Sequence, residues 1–158
     1  MSKVEAKLIE LGFELPAPLE LPSENRTSAV QVGHMLYVSG HGAALLERDD
    51  VKKIGKVGLD ISEEEAYETA RALALKMIAT VQHHVGDLDK VKRVVKILGM
   101  INAHPDFERH NIVLNGASDL FFEVFGPDVG CHARSSVGVS GLVARQAVEI
   151  EGIFEIAE

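Results

Sequence analysis

Tryptophan is absent from this 158-residue chain, aromatic residues make up only 5% of it, and it holds a single cysteine, Cys131. One cysteine excludes an intrachain disulfide, so stability must come from a packed core, and it fits a reducing compartment. With no partner identifiable in the sequence, Cys131 reads as a plain thiol near a loop. Positive charge is also scarce: 16 Lys and Arg stand against 24 Asp and Glu, for a net charge of −8. Nucleic acid and anionic membranes reward a net positive face, so this balance argues against both as broad partners and leaves room only for a local basic pocket. The N-terminus has acidic residues and no apolar core of the signal-peptide kind. The longest uncharged run, 27–46, is interrupted by Gly33, His34, Ser39, Gly40, His41 and Gly42, a pattern of strands and turns and not of a membrane span. These absences predict a cytoplasmic protein. Metal spacing is missing too. None of the seven histidines forms H-E-x-x-H, and adjacent His83 and His84 would leave a helix on different faces, so no metal is expected.

What is present is enough for one folded domain. Hydrophobic residues are 46% of the chain, and a domain of this length buries roughly 70% of its unfolded surface. Residues 2–11 have the pattern of a short amphipathic helix that stops at Gly12. Pro16, Pro18 and Pro22 then favour an extended arm. Residues 1–25 are thus a helix and a proline-rich arm leading into a single domain that spans 1–158. "TSAVQVGHMLYVSGHGA" reads as two strands around a Gly33-His34 turn. Residues 46–59 are polar and irregular, with one short strand near 53–57.

The strongest helix follows. Ser62 and Glu65 make a capping-box pattern, Ala66, Ala70, Leu73, Met77 and Val81 recur at helical spacing, and Gly86 ends it. A Val- and Ile-rich strand spans about 91–101, and a second long helix spans about 111–125, closed by Gly126 and Pro127. "GHGA" at 40–43 and "NGAS" at 115–118 read as glycine turns, too sparse for a phosphate loop. Two strands, 132–140 and 147–157, finish the chain. The order β-β-α-β-α-β-β predicts an α+β fold: one mixed sheet with two long helices packed on one face. The strands are apolar on both sides, so the uncovered face is expected to pack against another subunit.

Function concentrates in "CHARSSVGVSGLV", residues 131–143. At period two, Arg134, Ser136, Gly138 and Ser140 share one face, while Ser135, Val137 and Val139 share the other and read as ordinary core. A guanidinium beside a floor of small side chains leaves space for something other than protein. A short hairpin, with residue 140 pairing near 147, would bring Arg134 and Glu149 to one sheet face. Two readings fit that pair. It is a cross-strand ion pair on a solvated surface, or it is a pocket holding a small carboxylate on Arg134 and a water on Glu149.

Those residues carry a resemblance. "HARSSVGVSGLV" with "AVEIEGI" resembles the C-terminal signature of the Rid family, the YjgF-like reactive-intermediate (enamine/imine) deaminases. "LYVSGHGA" is similar to the family's "SGQ" strand, and "GDLDKVKRVVKILGMIN" with "NGASDLFFEVFG" is similar to the middle of its longer branch, whose members often bear the name endoribonuclease. The resemblance implies a chorismate-mutase-like α+β fold, a homotrimer, and sites in the clefts between subunits. It also implies roles. Arg134 would bind a substrate carboxylate, Glu149 would orient or activate water, Ser39 and Gly40 would line the pocket, and Asn115 and Ser136 would lie close to the ligand. Departures from the family pattern are Arg26 in place of a tyrosine, His41 in place of glutamine, and His132 in place of a proline common in shorter members. Arg26 is either a solvated arginine on the arm or a selector of substrates with a second acidic group.

The expected activity is hydrolysis of a small enamine or imine acid to a keto acid and ammonia. No cofactor is implied, because the imine carbon is already electrophilic. The alternatives are a non-catalytic module that binds a small carboxylate metabolite and, against the charge balance, an endoribonuclease.

Overall fold

The computed structural model describes residues 2–157. Helix α1 (Lys3–Glu10) opens with a capping box in which the Ser2 hydroxyl and the Glu5 carboxylate each accept from the other's backbone N–H. The arm that follows is extended, as its prolines require, and it lies across helix α2 (Glu63–Val85). The Leu19 N–H donates to Thr80 Oγ1 at 2.9 Å, and Lys76 Nζ donates to the Ala17 carbonyl at 3.0 Å. This cover explains why every residue of α2 from Ala72 to Thr80 is buried. The sequence stripe identified only the side facing the sheet.

Strands β1 (Ala29–Val32) and β2 (Met35–Gly42) form the predicted hairpin, with Gly33 at φ 59° in the turn. Strand β3 (Val91–Asn102) leads through helix α3 (His110–Gly130) to β4 (Ala133–Val139), and β5 (Val148–Ile156) closes the chain. Gly126, at φ 79°, breaks α3 where the Gly-Pro pair predicted its end, and the chain makes one further turn to Gly130. Residues 115–118 are not a turn; they lie inside α3. Gly116 there lets the two long helices touch, since a Cβ on it would meet the Tyr67 carbonyl oxygen at 2.1 Å. The predicted strand near 53–57 reduces to isolated bridges from Ile54 to Gln146 and from Val57 to Ile61 and Ala103.

The five strands are ordered β1-β2-β5-β3-β4 in one mixed sheet, with α2 and α3 on one face. All pairs are antiparallel except β3–β4. The expected hairpin between the last two strands does not form. Strand β5 inserts between β2 and β3 because its inward row, Val148, Ile150, Phe154 and Ile156, is wholly buried and can fill a central position. The inward row of β4 is Arg134, Ser136 and Gly138, too small and polar for a centre, so β4 takes the edge.

Register follows directly. Arg134 pairs with Ile97, and Ile97 with Gly152, so Arg134 lies on the helix-covered face. Glu149 pairs with Met100, and Met100 with Val137, which sets Glu149 on the open face. Val137 is 41% exposed there, so the row Ser135–Val137 is not core within one chain. Val30, Val32 and Tyr37 are also exposed on that face.

Candidate functional site

The residues singled out from the sequence fall into two groups on opposite faces of the sheet. The first is built by β4 and α3. Arg134 Nη1 donates to Ser118 Oγ at 3.0 Å and Nη2 to the Asn111 carbonyl at 3.3 Å. Both partners are neutral, and among the described residues no carboxylate pairs with this guanidinium. It borders a cavity of about 250 Å³ lined also by Asn115, Ser118, Asp119, Phe122, Cys131 and His132. Asp119 accepts from the Tyr67 hydroxyl at 2.6 Å. That bond and burial push the Tyr67 pKa up to about 12, which keeps the phenol a donor.

Ser136 is half-buried on the inward face of β4, in the row with Gly99, and does not line this cavity. Gly138, the next inward position, lies under His110, whose Nε2 would sit 2.3 Å from a Cβ there. The small-residue floor therefore admits α3 side chains along this part of β4. The space beside Arg134 itself is the cavity.

The second group is built by β2 and β5. Ser39 Oγ donates to the Thr27 carbonyl at 2.6 Å, and its N–H to Ser28 O at 2.9 Å, which ties β2 to the end of the arm. A bulge between Val38 and His41 lets Gly40 approach Glu149, whose Oε1 would be 2.9 Å from a Cβ on Gly40. Glu149 is half-buried. Burial, and then the neighbouring Glu151 carboxylate, raise its pKa above the usual glutamate value. Arg26 is exposed on the stretch just before Thr27.

Behind this group lies a relay that sequence reading missed. His41 is 1% exposed, its Nδ1 is 2.7 Å from the Ser39 carbonyl, and its Nε2 is 2.8 Å from Thr80 Oγ1. A carbonyl only accepts, so the proton sits on Nδ1 and Nε2 accepts from Thr80. Burial lowers the His41 pKa to about 4, which keeps the ring neutral. The relay runs from the arm through Thr80 and His41 to the carbonyl beside Gly40.

The two groups do not meet within one chain. Strand β3 separates β4 from β5, so two strand spacings, roughly 10 Å, lie between them in addition to the sheet itself. Ser118 and His132, which flank Arg134, were also missed as site residues. The available signals were spacing: Ser118 lies one helical turn from Asn115, and His132 lies two residues before Arg134 on the same pleat. Among the described residues, no group of three or more His, Cys, Asp or Glu is placed to hold a metal ion, and no helix is long and apolar enough to cross a membrane.

The chain is similar to known proteins along most of its length. Residues 5–144 match the sequence family described as "YjgF/chorismate mutase-like, putative endoribonuclease". A Trypanosoma cruzi protein named TCP17 is 42% identical over 156 residues, covering 98% of this chain and 94% of its own. A protein of unknown function from Agrobacterium tumefaciens superposes with a TM-score of 0.86 at 36% identity, over 98% of this chain and 92% of the other. A Shewanella oneidensis structure named "putative endoribonuclease" gives 0.88 at 27% identity, over 97% and 99% of the two chains. At 20% identity, Escherichia coli TdcF with bound serine shares the fold, with a TM-score of 0.59 over 89% and 94%.

Proposed function

Because this chain belongs to the YjgF/chorismate mutase-like family, we propose that it hydrolyses a small enamine or imine acid to a keto acid and ammonia, in a cleft that two subunits share. The observation that carries this reading is Arg134, a half-buried guanidinium held only by neutral acceptors beside a cavity. An arginine uses its planar fork on a carboxylate, and among the described residues no carboxylate pairs with this one. The serine bound in the TdcF structure, itself a small carboxylate, is in keeping with that role.

The chemistry asks little more. An enamine acid tautomerises to the imine. Water adds to the imine carbon of the protonated imino acid while Glu149 accepts a proton from it, giving a carbinolamine. The carbinolamine then collapses: Glu149 returns the proton to nitrogen, the C–N bond breaks to release ammonia, and the hydroxyl O–H gives its proton back to the Glu149 carboxylate as the C=O bond of the keto acid forms. A carboxylate with a raised pKa suits a base that must take and return a proton near neutral pH. Arg134 contributes position: a carboxylate fixed at two points holds the reacting carbon at a constant distance from the water. Ser39, Gly40 and Asn115 complete the walls in this reading; Ser136, which does not line the Arg134 cavity, is left out of them.

Arg134 and Glu149 lie on opposite faces of the sheet, so their cooperation requires a second copy of the chain. A closed ring of three copies, each covering the open sheet face of the next, satisfies this and removes Val30, Val32 and Tyr37 from water.

A panel of freshly generated imino acids tests the proposal, with ammonia and keto-acid release followed for wild type and Arg134→Ala. Release above the spontaneous rate, lost in the variant, is the expected result. Saturable keto-acid binding without release would leave a binding module. RNA cleavage that depends on Arg134 would point to the nuclease reading, which the net charge of −8 opposes.

A further inference from the structure

We infer that Ser118 and His132 are positioning residues that set the Arg134 guanidinium for the substrate carboxylate; the inference rests on the clamp role of Arg134 proposed above. Three bonds run in sequence, and each has only one possible direction. His132 Nδ1 lies 2.6 Å from the Gly130 carbonyl, which can only accept, so the ring proton is on Nδ1. Nε2 is then a lone-pair acceptor. It lies 3.0 Å from Ser118 Oγ and takes the hydroxyl proton. The Ser118 oxygen is left with lone pairs alone, and Arg134 Nη1 donates to it at 3.0 Å.

Burial, with the Arg134 charge also opposing protonation, holds the His132 pKa below its ordinary value and preserves this arrangement at neutral pH. The ring is fixed from the other side by an edge-to-face contact with Phe121, centroids 5.8 Å apart, and Phe121 is fully buried. The rigid helix core therefore orients an imidazole, the imidazole orients a hydroxyl, and the hydroxyl orients a guanidinium.

Arginine has five N–H donors, and the two bonds to Ser118 and Asn111 leave three for a ligand. Asp119, the acid on the same cavity, already accepts from Tyr67. Arg134 lines the cavity with those three donors to offer, and the device limits the rotamers that a bound carboxylate would otherwise have to freeze.

The test uses turnover of 2-iminopropanoate, generated in place from alanine by an amino-acid oxidase, and calorimetric titration with pyruvate. Ser118→Ala is expected to raise both KM and the pyruvate Kd about three- to tenfold, the worth of one ordinary hydrogen bond, since Arg134 keeps its charge and its bond to Asn111, with kcat within about twofold of wild type. Ser118→Thr keeps the hydroxyl and should restore both. His132→Phe keeps the ring contact with Phe121 but removes the acceptor, and should give an intermediate rise. If Ser118→Ala leaves KM and Kd unchanged while Arg134→Ala loses both, the positioning role is overturned and the clamp stands. A fall in kcat alone in Ser118→Ala also overturns it, since that marks lost protein and not a displaced guanidinium. If Arg134→Ala itself binds pyruvate and turns over normally, the clamp fails and the positioning role with it.

Discussion

A lysine at position 134 would keep the charge and lose the fork. Arg134→Lys is therefore expected to cost about 1.5–3 kcal/mol in kcat/KM on a small imino acid, the range for charge-assisted hydrogen bonds; near-normal activity would mean that the carboxylate binds elsewhere. Glu149 offers a pH test. A general base must be ionised, and burial together with Glu151 holds its pKa above the usual glutamate value. The rate should fall on acidification at a higher pH than for an ordinary carboxylate, and Glu151→Gln, which removes one of the two causes, should move that limb to lower pH. An acid limb that does not move would dissociate Glu149 from the proton transfer. Arg26 is exposed on the stretch next to Ser39's partner Thr27, and its proposed role is selection of substrates with a second acidic group. Comparing monoacid and diacid imines on wild type and Arg26→Tyr decides it; an unchanged preference leaves Arg26 a solvated side chain. Arg134 and Glu149 stood out as candidates in short motifs, and Asn115 through the family resemblance. Ser118, His132, Thr80 and His41 were not, although the spacing of the first two was visible, because a polar residue's role depends on which helix packs over which strand.

Helices and strands were legible where periodicity and stop signals coincide, as in α2 between Ser62 and Gly86 and in the break of α3 at Gly126. Strand partners were not. Period-two alternation tells which residues share a face and is silent on neighbours, so the sequence of β4 and β5 reads as a hairpin although the bulkier β5 takes the centre of the sheet. Two predictions belong at this scale. Gly116→Ala would drive a Cβ into the Tyr67 carbonyl, a backbone atom that cannot swing away. The α2–α3 pair must separate, at about 1–3 kcal/mol, read as a lower urea midpoint with an unchanged slope. An unaltered midpoint would show that the helices are not held that close.

The second prediction concerns the relay from arm to strand. The His41 pKa is lowered from 6.5 to about 4 in the folded state. The unfolded chain takes up this proton first, so stability is complete above pH 6.5 and falls as pH drops towards 4. The loss attributable to this one residue is about 3 kcal/mol. His41→Gln should flatten that interval, leaving the smaller contributions of His84 and His132, whose pKa values are lowered in the same direction. Identical pH–stability curves for the two proteins would remove His41 as the cause.

At the scale of the whole molecule, the open face of the sheet is the decisive feature. Both long helices pack on the other side, and the open side carries Val30, Val32, Tyr37 and Val137 beside Glu149 and Glu151. The sequence revealed that two faces were apolar. It did not reveal that the two proposed catalytic residues would end on different faces, because that depends on the strand order. Light scattering at micromolar concentration should give a mass near three times 17.1 kDa. A monomer would leave Arg134 and Glu149 unable to act together.

Subunit complementation tests the shared cleft most directly. Arg134→Ala and Glu149→Gln, each inactive alone, are co-expressed in equal amounts so that mixed assemblies form, and imine hydrolysis is measured. A site that takes its arginine from one copy and its glutamate from another is intact in about one quarter of cases when the two chains mix at random. Recovery of about a quarter of wild-type activity in the mixture is the expected result. Mixed assemblies that form and remain as inactive as either parent would contradict the shared cleft.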